Sequence, residues 1–63
     1  MNMNSFKNYF NVVYLTKNGR SEVAQRVMGI TAHEAKKKIE LKMMASPEFD
    51  RVLVAVKLGR EFF

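Results

Sequence analysis

The sequence predicts an α+β fold: a two-layer β-β-α-β module in which one helix packs on a three-stranded sheet of order 2-1-3. Three observations carry this expectation. "YFNVVYL", residues 9–15, is dense in β-branched and aromatic side chains, which suit a pleated surface better than a helix. Asn18-Gly19 follows it, a pair that adopts positive φ at low cost and so favours a tight hairpin. Thr31 is followed three residues later by Glu34, the capping-box spacing that satisfies two orphan N–H groups at a helix start.

Taken in order, residues 1–8, "MNMNSFKN", are polar and asparagine-rich and are expected to form a flexible leader, with 9–63 as the single small domain. A two-residue type I′ turn at Asn18-Gly19 would pair Lys17 with Arg20, Tyr14 with Val23 and Tyr9 with Met28, making "RSEVAQRVM" the second strand. Side chains alternate between the faces of a strand. One sheet face would then hold Phe10, Val12, Tyr14, Val23 and Val27, with Gln25 as its polar exception. The other would hold Tyr9, Asn11, Val13, Leu15, Glu22, Ala24, Arg26 and Met28.

The helix should run from about Ala32 to about Ala45, where Ser46-Pro47 stops it. A third strand is expected over Arg51 to Leu58, with Val52, Val54, Val56 and Leu58 on the core face and Leu53, Ala55 and Lys57 opposite. Gly59 would end it and leave a "REFF" tail. A right-handed crossover through the helix sets the third strand parallel in direction to the second. Its free place is the open edge of the first strand, which makes the most apolar strand central.

Sixty-three residues leave little room for a core, and the usual staples are absent: there is no cysteine and a single histidine. Neither a disulfide nor a thiolate or multi-histidine metal site can form, and self-association as a homodimer is the expected remedy. No apolar run approaches the roughly 20 residues that cross a bilayer, and the opening lacks the basic start and apolar centre of a signal peptide. A cytoplasmic protein with no membrane contact is the expectation. Glycine-rich phosphate loops, GxSxG and His-Glu helix pairs are all missing, and the carboxylates Glu22, Glu34, Glu40, Glu48, Asp50 and Glu61 are scattered. The chain is therefore not expected to be an enzyme, and no catalytic residue, metal, cofactor or small-molecule substrate is assigned.

Eleven Lys+Arg against six Asp+Glu give a formal net charge of +5. Such a balance favours nucleic acid or an acidic protein partner. The candidate nucleic-acid contacts are Arg20, Arg26, Lys38, Lys42, Arg51 and Lys57. The run "KKK" in "TAHEAKKKIE" is weaker than it looks, because consecutive helical residues lie about 100° apart. Ala32, Ala35, Ile39 and Met43 form the helix face that packs on the sheet, while His33, Lys37, Leu41 and Met44 form a stripe facing away. His33 is read as a solvated residue near the cap. Leu41 and Met44, together with Tyr9, Val13, Leu15, Met28 and Leu53 on the uncovered sheet face, are the candidate protein interface.

The segment from Val12 to Met44, "VVYLTKNGRSEVAQRVMGITAHEAKKKIELKMM", locally resembles the hairpin-to-helix half of double-stranded-RNA-binding domains, in which a strand is followed by serine or threonine, two basic residues and "EAK". Ala32 and His33 stand where that family places its phosphate-binding lysines, and the family's first helix has no counterpart. The chain is assigned to no family on this likeness. Two functions of different class follow from the residues. One is a small basic accessory protein that binds nucleic acid without catalysis. The other is a compact protein-binding regulator or inhibitor, of the kind phages and mobile elements encode, acting through the helix outer face, the open sheet face or the "REFF" tail.

Overall fold

The computed structural model of the chain describes residues 6–62. Its elements are β1 (Phe6–Thr16), β2 (Ser21–Gly29), α1 (Ala32–Met43) and β3 (Phe49–Phe62). The sheet order is β2-β1-β3, with both neighbouring pairs antiparallel, so β3 runs in the same direction as β2 with β1 between them. This is the expected α+β architecture. β1 begins at Phe6, inside the expected leader, whose residues 1–5 lie outside the described residues. β3 continues through Gly59 to Phe62, so the strand takes in residues expected to form a tail.

The hairpin turn is one residue longer than expected. Thr16 N–H donates to Arg20 O at 2.8 Å and Gly19 N–H to Thr16 O at 3.0 Å, leaving a three-residue loop, Lys17-Asn18-Gly19. Gly19 takes φ +88°, the left-handed position that ends such loops in a bulge. The Asn18 carboxamide fixes this form, because its Oδ1 accepts from the Thr16 hydroxyl and, at 3.3 Å, from Arg20 N–H. The pairing near the turn is accordingly Leu15 with Ser21, Val13 with Val23 and Val12 with Ala24.

A second irregularity cancels the first. Arg26 has φ +56°, and the register shifts between Phe10 and Val12 so that Phe10 meets Val27 and Tyr9 meets Met28. The expected pairing thus holds at the far end of the hairpin and fails beside the turn. A β-bulge of this kind adds one residue to one strand and re-aims the side chains beyond it. Ala24 therefore joins Val27 under the helix, and Val23 turns to the open face.

β3 shows the same effect. Val13 pairs with Val54 but Tyr14 with Val52, which makes Leu53 the extra residue. Val52 and Ala55 pack against the core, whereas Val54, Val56 and Leu58 are exposed, in place of the single apolar row that alternation predicts. The reason is close approach. Val12, fully buried, is flanked across the sheet by Ala24 and Ala55 and covered by the equally buried Ala35 of α1. Small side chains let the helix settle onto the sheet; bulkier Val23 and Val54 in those places would lift it.

The buried core is Phe10, Val12, Ala35 and Ile39, with Tyr14, Val27, Val52 and Met43 packed around it. Ala35, Ile39 and Met43 occupy the helix face expected for them, but Ala32 is exposed. Thr31 caps α1, its Oγ1 accepting from Glu34 N–H at 3.1 Å. The Glu34 carboxylate reaches one residue further back than in the usual box and accepts from Ile30 N–H at 2.5 Å. A Cα radius of gyration of 12.7 Å exceeds the about 11 Å of a compact chain of this length. The molecule is a slab, 45 × 19 × 13 Å, with one sheet face uncovered.

Candidate nucleic-acid interface and protein-binding surfaces

The six basic residues singled out by the sequence are not brought together. Arg20 is exposed at the hairpin end, its backbone N–H turned to Thr16 Oγ1 at 3.2 Å. Arg26 sits in the β2 bulge, with Cζ 4.5 Å from the centroid of the Tyr9 ring. Lys38 leans from α1 toward β2 and donates from Nζ to Met28 O at 2.6 Å. This contact covers a backbone acceptor of a sheet-edge strand, which is a protective use of lysine. Lys42 is exposed in the last turn of α1, where a cation suits the helix dipole. Lys57 is exposed and pairs with Phe10, which puts it on the helix side of β3.

Arg51 is where a basic constellation forms. It lines a shallow cleft of about 250 Å³ with His33, Lys36, Lys37, Glu40 and Val52, between α1 and the outer part of β3. Lys37 Nζ lies 3.6 Å from Glu40 Oε1, and Arg51 Nη1 lies 3.6 Å from Asp50 Oδ2. Both pairs are solvent-exposed and weak, so the cleft stays predominantly cationic. The sequence marks Arg51 as a candidate contact but gives no such sign for Lys36 and Lys37. The spacing sets His33 and Lys37 in one stripe with Leu41 and Met44, facing away from the sheet; the structure instead brings His33 and Lys37 beside β3, which depends on how the helix is set on the sheet. A second cleft, of about 280 Å³, lies at Lys17, Asn18, Pro47 and Glu48, where Lys17 N–H donates to Glu48 O at 2.8 Å.

The open sheet face is built in rows. Val23, Val13 and Val54 form the middle row; Met28 and Tyr9 lie toward one end, with Asn11 and Val56 between; Ser21, Leu15 and Arg51 lie toward the turn. Val23, Val54 and Val56 are 49%, 46% and 51% exposed and enlarge the surface that the sequence had assigned to Tyr9, Val13, Leu15 and Met28. Leu53, also exposed, occupies the bulge beside it. On the outer side of α1, Leu41 and Met44 are 65% and 64% exposed.

Among the described residues there is no group of three or more His, Asp or Glu arranged to hold a metal ion, and no helix long and apolar enough to cross a membrane. Set against known proteins, the chain matches no family model, no curated protein and no solved structure.

Proposed function

We propose that this chain is a non-enzymatic nucleic-acid-binding protein that grips the phosphodiester backbone with the helix side of the molecule. The observation behind this reading is the segregation of charge. Lys36, Lys37 and Arg51 converge on one cleft, and Lys38, Lys42 and Lys57 occupy the same side of the sheet. Backbone contact suits this arrangement better than base stacking. Tyr9 has one ring face under Arg26, and Tyr14 packs against the core and the Phe49 ring, at 5.9 Å between centroids. Tyr14 is thus taken up by packing, and Tyr9 keeps at most one ring face for the stacking that single-strand binders use.

Titration of a labelled single strand and a labelled duplex at rising salt tests the reading. Three or four phosphate contacts predict a log–log salt slope of about −2 to −4. Absence of binding at the lowest salt, or binding that ignores salt, would overturn it.

A protein-binding regulator or inhibitor of the phage or mobile-element type is the second reading, favoured by the adjacent exposed pair Leu41 and Met44. Here a stoichiometric partner should survive moderate salt and be lost on Leu41→Asp.

A further inference from the structure

We infer that His33 is a further phosphate contact of the basic cleft, and that through it the grip on phosphate tightens as the pH falls. This role rests on the nucleic-acid reading above and adds the residue that makes it pH-dependent. His33 follows the Thr31 cap by two residues, and the structure sets it in the cleft of about 250 Å³ with Lys36, Lys37, Glu40, Arg51 and Val52.

The charges around the imidazole come from two elements. On α1, Lys36 and Lys37 lie three and four residues beyond His33, which makes them its neighbours on the helix surface. Arg51 joins them from β3. Glu40 is the one carboxylate in the lining, seven residues on and so about 10 Å along the helix axis. There it lies 3.6 Å from Lys37 Nζ. Two more carboxylates are close in sequence and engaged elsewhere. Glu34 accepts from Ile30 N–H, and Asp50 Oδ2 lies 3.6 Å from Arg51 Nη1. The imidazole itself is exposed and, among the described residues, has no hydrogen-bond or ion-pair partner to give up.

Histidine is the side chain whose ordinary titration falls between about pH 5 and 8, whereas lysine, arginine and carboxylate side chains keep their charge there. A phosphodiester keeps its charge there too. Protonated imidazole has two N–H donors and a positive charge, while the neutral ring has one donor and none of the charge. A phosphate seated beside Lys36 and Lys37 therefore gains a charge-assisted bond when His33 takes a proton. By linkage, each of the two bound species then favours the other. The chain has one histidine, so a single substitution removes the effect.

The test is anisotropy of a labelled single strand, with a dye that does not titrate, at about pH 8 and about pH 5.5 and at several salt concentrations. The parent should bind about two- to fivefold more tightly at the lower pH, the range that one exposed charge pair supplies. Its log–log salt slope should steepen by about 0.7, one further counterion released from a single strand. His33→Gln should match the parent at the higher pH and gain less than about 1.5-fold on acidification. His33→Lys should bind at the higher pH as the parent does at the lower. Both substitutions fall on an exposed position and should keep the circular-dichroism spectrum. Salt-dependent binding that is equal at the two pH values overturns the role of His33 and leaves the nucleic-acid reading standing, as does a pH dependence that His33→Gln retains. Absence of binding at both pH values in the lowest salt overturns the two together.

Discussion

Arg26 holds its guanidinium carbon 4.5 Å from the centre of the Tyr9 ring while its own backbone sits at φ +56°. These two facts oppose each other. A left-handed backbone costs an ordinary residue about 1 kcal/mol or more, whereas a cation over an aromatic ring returns about 0.5–1 kcal/mol at an exposed site. Arg26→Gly relieves the backbone strain as the side chain's contacts are lost, and should be the more stable of two variants at this position. Arg26→Val removes the ring contact and keeps the strain, now with a branched side chain, and should lose about 1–2 kcal/mol. Thermal melts of the two variants check this: a valine variant as stable as the glycine one would mean that the bulge lies elsewhere.

The same bulge explains what could be read from the sequence and what could not. The element order, the central place of β1, the Thr31 cap and the burial of Ala35 and Ile39 follow from local patterns, and the structure has all of them. The faces of β2 and β3 do not follow, because alternation assumes an unbroken ladder. Asn18-Gly19 signals a hairpin but leaves its length open, and the Asn18 carboxamide selects the longer loop. No local signal marks Arg26 or Leu53 as an extra residue. Their places are set by Ala24 and Ala55, which must flank Val12 if Ala35 is to approach it. The cleft at Lys36, Lys37 and Arg51 was hidden for the same reason, since it depends on where the helix crosses β3.

Val12 and Val56 separate the two assignments of the core. Val12 is fully buried, and Val12→Ala deletes two buried methyl groups and leaves a cavity, at about 2–3 kcal/mol. For a chain of this length, total stability on the order of 3–9 kcal/mol makes that loss conspicuous. Val56→Thr, half exposed on the open face, should cost under about 0.5 kcal/mol in dilute solution. Urea denaturation at low protein concentration measures both. Equal losses would restore the alternating face that the sequence suggests.

Thr31→Ala removes the acceptor for Glu34 N–H and should lower stability by about 1 kcal/mol. For a domain this small that is a fall of about 4–8 °C in melting temperature. Thr31→Ser retains the hydroxyl and should stay near the parent. The Glu34 carboxylate bonds a different donor, Ile30 N–H. Glu34→Ala should therefore add a further loss on top of Thr31→Ala, and a double variant no worse than the single would show that the two bonds act as one.

The lysines of α1 are expected to divide by what they face. Lys36 and Lys37 line the cleft with Arg51, whereas Lys38 directs its ammonium to Met28 O. If phosphates bind in the cleft, the Lys36→Gln, Lys37→Gln double variant gives up about two released counterions and should flatten the salt slope by about 1.4–1.8. Lys38→Met should move that slope by less than about 0.5, because its charge is held at the β2 edge away from the cleft. Its effect should fall on the sheet instead: with Met28 O uncovered, β2 presents an open edge and aggregation on storage should increase. Anisotropy titrations at several salt concentrations give the slopes. A Lys38 variant that flattens the slope as much as the double variant would move the binding surface from the β3 side of the helix to the β2 side.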